Sequence, residues 1–164
     1  MTKGLIMNVV TSKVIDLSAE KIWDAMSRFG DVDQWATGVL RSAWKEPDRL
    51  DDAVGSVRFC DLDEFGYVAE TIEHWEPGRA LTYSVKGMPF PMKGATNAWT
   101  FRPLGPDQTE VITTITVQLK PGAGFMSALV KKNLRRVQEG VLADLAHFAA
   151  DGIPSDRKLS EQAA

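Results

Sequence analysis

Cysteine, histidine and long apolar runs are all scarce in this chain of 164 residues. Cys60 is alone, so an intramolecular disulfide is impossible and a reducing compartment is the natural setting. Two histidines, His74 and His147, with that single cysteine argue against a metal site, and neither a metal nor a cofactor is expected. No stretch approaches the roughly 18 consecutive apolar residues of a membrane-spanning helix. The N-terminal MTKGLIMNVV is too short and too polar for a secretory signal. The formal charge is only −3, so no global basic field would steer a nucleic acid. These absences predict a cytoplasmic protein with no nucleic-acid partner and no membrane span.

What remains is the composition of an ordinary globular protein, 44% hydrophobic and 25% charged. At this length one core can bury roughly 70% of the unfolded surface, so residues 1–152 are read as a single domain. Residues 153–164 are polar and are expected to form a disordered tail.

The most informative segment is 125–148. Its apolar residues fall at Met126, Val130, Leu134, Val137, Val141, Leu145 and Phe148, spacings of three and four that mark one helical face. Leu129 and Leu142 broaden the stripe, and Lys131, Lys132, Arg135 and Arg136 stand opposite. Those cations read as a solvated face, with docking on anionic lipid or a partner as the alternative. Gly140 is tolerated if a small residue lets the helix approach a sheet closely.

Upstream, the pattern switches to strands. Residues 8–16, 39–44, 55–61, 66–75, 80–86, 95–102 and 110–120 are rich in β-branched residues or alternate in polarity. Between the first two, Ser18 can cap a helix carrying Ile22, Trp23 and Met26, and Asp31 can cap a second turn ending at Trp35. Short turns between later strands mean antiparallel pairing. Pairing across Pro77-Gly78 puts Val68, Glu70, Ile72, His74, Leu81, Tyr83 and Val85 on one face. In the last strand Val111, Thr113, Ile115, Val117 and Leu119 face inward. The predicted class is α+β: a seven-stranded curved antiparallel sheet wrapped round a long C-terminal helix, with two short helices between strands 1 and 2.

With these elements in order, the chain resembles the START/Bet v 1-like superfamily (SRPBCC), the polyketide cyclase/dehydratase and lipid-transport group. The resemblance runs from about Val9 to Phe148. It is carried by Ile15-Asp-Leu-Ser-Ala-Glu-Lys-Ile-Trp23, Phe29-Gly-Asp-Val-Asp-Gln-Trp35, Gly55-Ser-Val-Arg58, Glu70-Thr-Ile, Leu81-Thr-Tyr-Ser-Val85 and Gly87-Met-Pro-Phe-Pro91. It implies a helix-grip fold enclosing a largely apolar cavity that holds a lipid, isoprenoid or aromatic polyketide-like ligand. A minority of such proteins catalyse cyclisation, aromatisation or dehydration.

Arg58 and Glu70 are the first candidates within that cavity. A hairpin centred on Glu64 brings them opposite each other, and buried charges need a partner. Arg58 then either anchors a polar ligand group or simply braces the sheet with Glu70. Trp35, Tyr83 and Trp99 are candidate aromatic walls, Val130 and Leu134 the helix side, and Trp23 a packing residue. Gly87–Gly94 exposes Met88, Phe90 and Met92 and reads either as a lid at the cavity mouth or as a loop packed on the N-terminal end of the long helix. His74 is a candidate base at the rim, though a structural role is the simpler reading. Binding of a hydrophobic small molecule is therefore the leading expectation. The alternatives are a cyclase or dehydratase using Glu70, Tyr83 or His74, and an interaction module with a collapsed cavity. A weak homodimer is left open.

Overall fold

A computed structural model describes residues 3–45 and 53–164; the first two residues of the N-terminal decapeptide and residues 46–52 lie outside it. The chain begins with β1 (Ile6–Ile15), α1 (Ala19–Ser27) and a 3-10 turn over Phe29–Gln34. Ser18 caps α1 as expected, accepting from the Lys21 backbone N–H at 3.2 Å. The 3-10 turn starts two residues before Asp31, which sits at a kink and caps nothing. Then follow β2 (Val39–Trp44), β3 (Val57–Leu62), β4 (Gly66–Glu76), β5 (Ala80–Lys86), β6 (Met92–Gly105) and β7 (Gln108–Leu119). A short 3-10 turn at Gly124–Met126 leads into α2 (Ser127–Asp151), and α3 (Asp156–Gln162) comes last.

The seven strands form one antiparallel sheet in the order β1-β7-β6-β5-β4-β3-β2. Each hairpin neighbour in sequence is a neighbour in space, and the chain's first two strands become the two edges. The β4–β5 turn has Pro77 before Gly78 at φ 73°, and the Arg79 N–H reaches the Glu76 carbonyl at 3.0 Å. Only a residue tolerant of positive φ fits the third place of such a turn. Alternation in β7 is as predicted, with every second residue from Thr109 to Leu119 buried.

β4 departs from the expected alternation. Its register with β5 slips between Ile72 and His74, a bulge that shifts all later side chains by one place. His74 is thereby turned out to solvent beside Glu76, at 3.5 Å. Trp75 turns in instead and packs edge-on against Trp23, with ring centroids 4.9 Å apart. The inward placement of His74 is thus corrected; Trp23 packs α1 onto the sheet, touching Phe101 as well.

α2 runs unbroken through Gly140 and follows β1 and α1 most closely, its backbone standing off from the middle strands. Its buried residues are Val130, Leu134, Gln138, Leu142, Asp144, Leu145, Phe148 and Ala149. The buried stripe is therefore rotated from the one predicted: Leu129 is exposed, and two polar residues enter it. Gly140 makes no room for the sheet. A Cβ there would stand 2.6 Å from the Arg157 guanidinium nitrogens, so the missing side chain admits α3.

That last helix replaces the expected disordered tail. Ser155 caps it by accepting from the Lys158 N–H at 3.2 Å. The buried Asp144 carboxylate accepts from the Thr37 N–H at 2.8 Å, from the Ser155 hydroxyl at 2.7 Å and from Arg157 Nη2 at 2.8 Å. Lys158, 1% exposed, donates from Nζ to the Val39 carbonyl at 2.8 Å and to Glu161 at 2.6 Å. Glu161 in turn accepts from the Gly38 N–H at 2.7 Å. Polar contacts, which leave no apolar period in the sequence, hold this segment to the β2 end of the sheet.

Candidate functional site

The apolar interior is split into two clusters. One gathers α1, the 3-10 turn and the central strands around the C-terminal half of α2; the other joins β1, β7 and the loop before α2 to Val130 and Leu134. Between them lies a cavity of about 410 Å³, bounded by the sheet on one side and α2 on the other. It exists because α2 stands away from β3–β6, where long side chains would otherwise meet. The volume is within the range of small-molecule sites, roughly 300–1,000 Å³, and exceeds what a collapsed core leaves.

The structure brings Trp35, Arg58, Glu70, Tyr83, Met88, Trp99 and Leu134 together around this space. Two further candidates lie elsewhere. Val130 is buried in the second cluster, one turn too early on α2 to reach the cavity. Phe90 is 62% exposed and has Lys120 Nζ 6.0 Å from its ring centroid. The loop read as a lid divides accordingly: Met88 lines the cavity, Met92 is buried in the second cluster, and Phe90 points outward.

Arg58 and Glu70 are directly opposite in the β3–β4 register, and both side chains are buried. Arg58 Nε donates to Glu70 Oε2, and Arg58 Nη1 donates to the Phe29 carbonyl at 2.7 Å. The guanidinium also lies 3.5 Å from the Phe29 ring centroid and 5.1 Å from that of Tyr83, a cation over two aromatic faces. Burial alone would lower the Arg58 pKa; Glu70, with smaller contributions from Cys60 and Tyr83, overcomes it and holds the group above its ordinary value. The pair is therefore a neutral unit set into an apolar wall.

Around it stand groups kept uncharged. The Cys60 thiol donates to Glu70 Oε2 at 3.6 Å, and burial chiefly pushes its pKa up to about 12. Burial likewise raises the Tyr83 hydroxyl, with Glu70 adding to the effect. Tyr83 accepts from Asn97 Nδ2 at 3.0 Å. Asn97 Oδ1 and, across the cavity on α2, Gln138 Oε1 are buried without a hydrogen-bond partner. The Trp99 indole N–H meets no acceptor at good geometry, although it lies close enough to Tyr83 to favour the phenolate slightly. Sequence reasoning missed Asn97 and Gln138. Their signal was a lone amide at an inward position of an otherwise apolar period.

Two ion-paired seams border the mouth. Arg136, one of the four cations on α2, reaches across to Glu64 in the β3–β4 turn at 2.7 Å. On the other side Arg157 and Glu161 bring α3 to the rim. Lys131, Lys132 and Arg135 remain on the outer face of α2, as a solvated face requires. Among the described residues no cluster of three or more His, Cys, Asp or Glu could hold a metal ion, and no helix is long and apolar enough to cross a membrane.

A sheet that grips one long helix around an apolar cavity agrees with a family model described as polyketide cyclase / dehydrase and lipid transport, which matches residues 7–148. The chain belongs to that family. Solved structures agree on the fold. A START superfamily protein from Mycobacterium smegmatis superposes with a TM-score of 0.72 at 18% identity, over 87% of this chain and 97% of that one. The protein XoxI from Bacillus cereus gives 0.71 at 19%, over 88% and 96%. The Zhui aromatase/cyclase from Streptomyces sp. R1128 gives 0.66 at 13%, over 89% and 94%. No curated protein matches the sequence. Polyketide cyclase/dehydrase and lipid-transport membership thus accounts for the helix-grip architecture and for a cavity suited to hydrophobic ligands, and the particular side chains inside must speak for its contents.

Proposed function

We propose that this protein binds a hydrophobic small molecule of the lipid, isoprenoid or aromatic polyketide-like class in the cavity between the sheet and α2. The observation that carries this reading is a space of about 410 Å³ lined mostly by apolar and aromatic side chains, with one buried polar cluster at Arg58, Glu70, Tyr83 and Asn97. Apolar walls supply affinity and a few fixed polar groups supply orientation. We read the compartment as the cytoplasm, where Cys60 stays a thiol.

A second reading, cyclisation or dehydration of the same ligand, draws support from that deep polar cluster. General acid–base work calls for a group that titrates near the working pH. Tyr83 and Cys60 are instead pushed away from neutrality, and His74 stands in solvent outside the cavity. Binding is the reading these facts favour.

An environment-sensitive apolar dye should bind the purified protein and be displaced by lipid-like compounds. Leu134→Trp should abolish dye binding by filling the space, whereas Val130→Trp, packed in the second cluster, should lower stability and leave the dye site open. Dye binding that survives Leu134→Trp unchanged would refute the cavity as the site. Native mass spectrometry of freshly purified protein would show any co-purified ligand directly.

A further inference from the structure

The unpartnered amides narrow the ligand class. Asn97 is 6% exposed and Gln138 is 5% exposed; both residues line the cavity, and each leaves its buried side-chain oxygen without a hydrogen bond. They stand on opposite walls, Asn97 on β6 and Gln138 on α2. Buried acceptors of this kind are costly unless a donor arrives, and one ligand proton cannot serve two acceptors. The Tyr83 hydroxyl next to Asn97 accepts from Nδ2, so its own proton is free to donate. A hydroxyl placed there can accept from Tyr83 and donate to Asn97 Oδ1. A carboxylate cannot: it has no proton to give, and Arg58 is already balanced by Glu70.

Resting on the binding reading above, we propose that Asn97 and Gln138 are specificity-determining residues that select an uncharged apolar ligand carrying two hydrogen-bond donors, such as a diol or diphenol, and reject fatty-acid-like carboxylates. One donor bonds to Asn97 beside Tyr83 and the other to Gln138.

Displacement of the apolar dye by three rigid probes of one skeleton tests this: 4,4′-dihydroxybiphenyl, its dimethyl ether and biphenyl-4-carboxylate. The diphenol should displace the dye at a concentration at least about tenfold below that of the ether, and further below that of the carboxylate. Gln138→Leu should erase most of this preference, read as the ratio of diphenol to ether displacement midpoints within each variant so that any change in dye affinity cancels, and Asn97→Leu should do the same from the other wall. Because Gln138 has no internal hydrogen bond to lose from Oε1, its variant decides the matter if Asn97→Leu folds poorly. Equal displacement by diphenol and ether, stronger displacement by the carboxylate, or a preference that survives Gln138→Leu would overturn the proposal and leave the cavity reading intact. A dye that fails to enter the wild-type protein would defeat both.

Discussion

Breaking the Arg58–Glu70 pair should cost far more than removing it. Both side chains are under 10% exposed, so either charge left behind is stranded in an apolar wall. Arg58→Met leaves Glu70 with the Cys60 thiol at 3.6 Å as its remaining donor among the described residues. Glu70→Leu leaves Arg58 with the Phe29 carbonyl at 2.7 Å and two ring faces, a better-compensated orphan. Each single change should cost about 3–5 kcal/mol, with Arg58→Met at the upper end. For a chain of this size that is a fall in Tm of roughly 6–20 °C. Their sum would be about 6–10 kcal/mol, yet the double variant, with two apolar side chains of similar volume, should lose only about 2 kcal/mol or less. Urea unfolding of the four proteins at pH 7, with circular dichroism to verify the fold, gives the coupling energy directly. Additive costs, within about 0.5 kcal/mol, would mean that the two charges do not depend on each other, and the account of the cavity wall would be wrong.

The C-terminal clasp gives a second expectation. Lys158→Met removes the donor to the Val39 carbonyl and the partner of Glu161, and should cost about 1–3 kcal/mol while accelerating dye release at the rim that α3 borders. Unchanged stability would mean that α3 is only loosely placed. Cys60 gives a third, in alkali. Its folded pKa of about 12 lies above the ordinary 9.0, so below pH 9 both folded and unfolded chains keep the proton and the thiol's contribution is fully present. From about pH 9 upward the unfolded chain ionises first, and stability should fall by up to about 1.4 kcal/mol per pH unit until about pH 12. Cys60→Ala should show a shallower decline over that window when urea midpoints are compared, and identical slopes would contradict the shift.

Much of this architecture was legible because it rests on periods. The two-residue alternation of β7 declares which side is buried before any contact is known, and the 3.6-residue stripe of α2 declares the helix, though its buried side is rotated from the apolar stripe. The Arg58–Glu70 juxtaposition followed from one hairpin centre at Glu64, and the β3–β4 register agrees. His74 was misplaced because a bulge adds a residue without altering composition, so the pattern continues through it on the wrong face. Asn97 and Gln138 were missed because an amide at a core position looks like noise in an apolar period. Helix α3 was missed for the opposite reason: its buried residue is Lys158 and its contacts are charges, so hydrophobicity offers no trace beyond the Ser155 cap. Val130 and Phe90 show that a periodic face or an apolar loop says which residues are hidden or sticky, and not which of them border an empty space.

The edge position of β1 also bears on how the chain is made. β1 pairs with β7 from Ile6↔Gln118 to Ile15↔Thr109, so its partner emerges roughly a hundred residues later. At translation rates of about 5–20 residues per second, the first strand waits some 5–20 s for its neighbour. During that interval it is adhesive on both sides, since Val9 and Ile15 face the future core while Ile6, Val10 and Val14 stay exposed even in the finished sheet. Such a segment is an aggregation hazard while unpaired. Substitutions that weaken β7 should therefore reduce soluble yield during expression out of proportion to their effect on the stability of the completed protein.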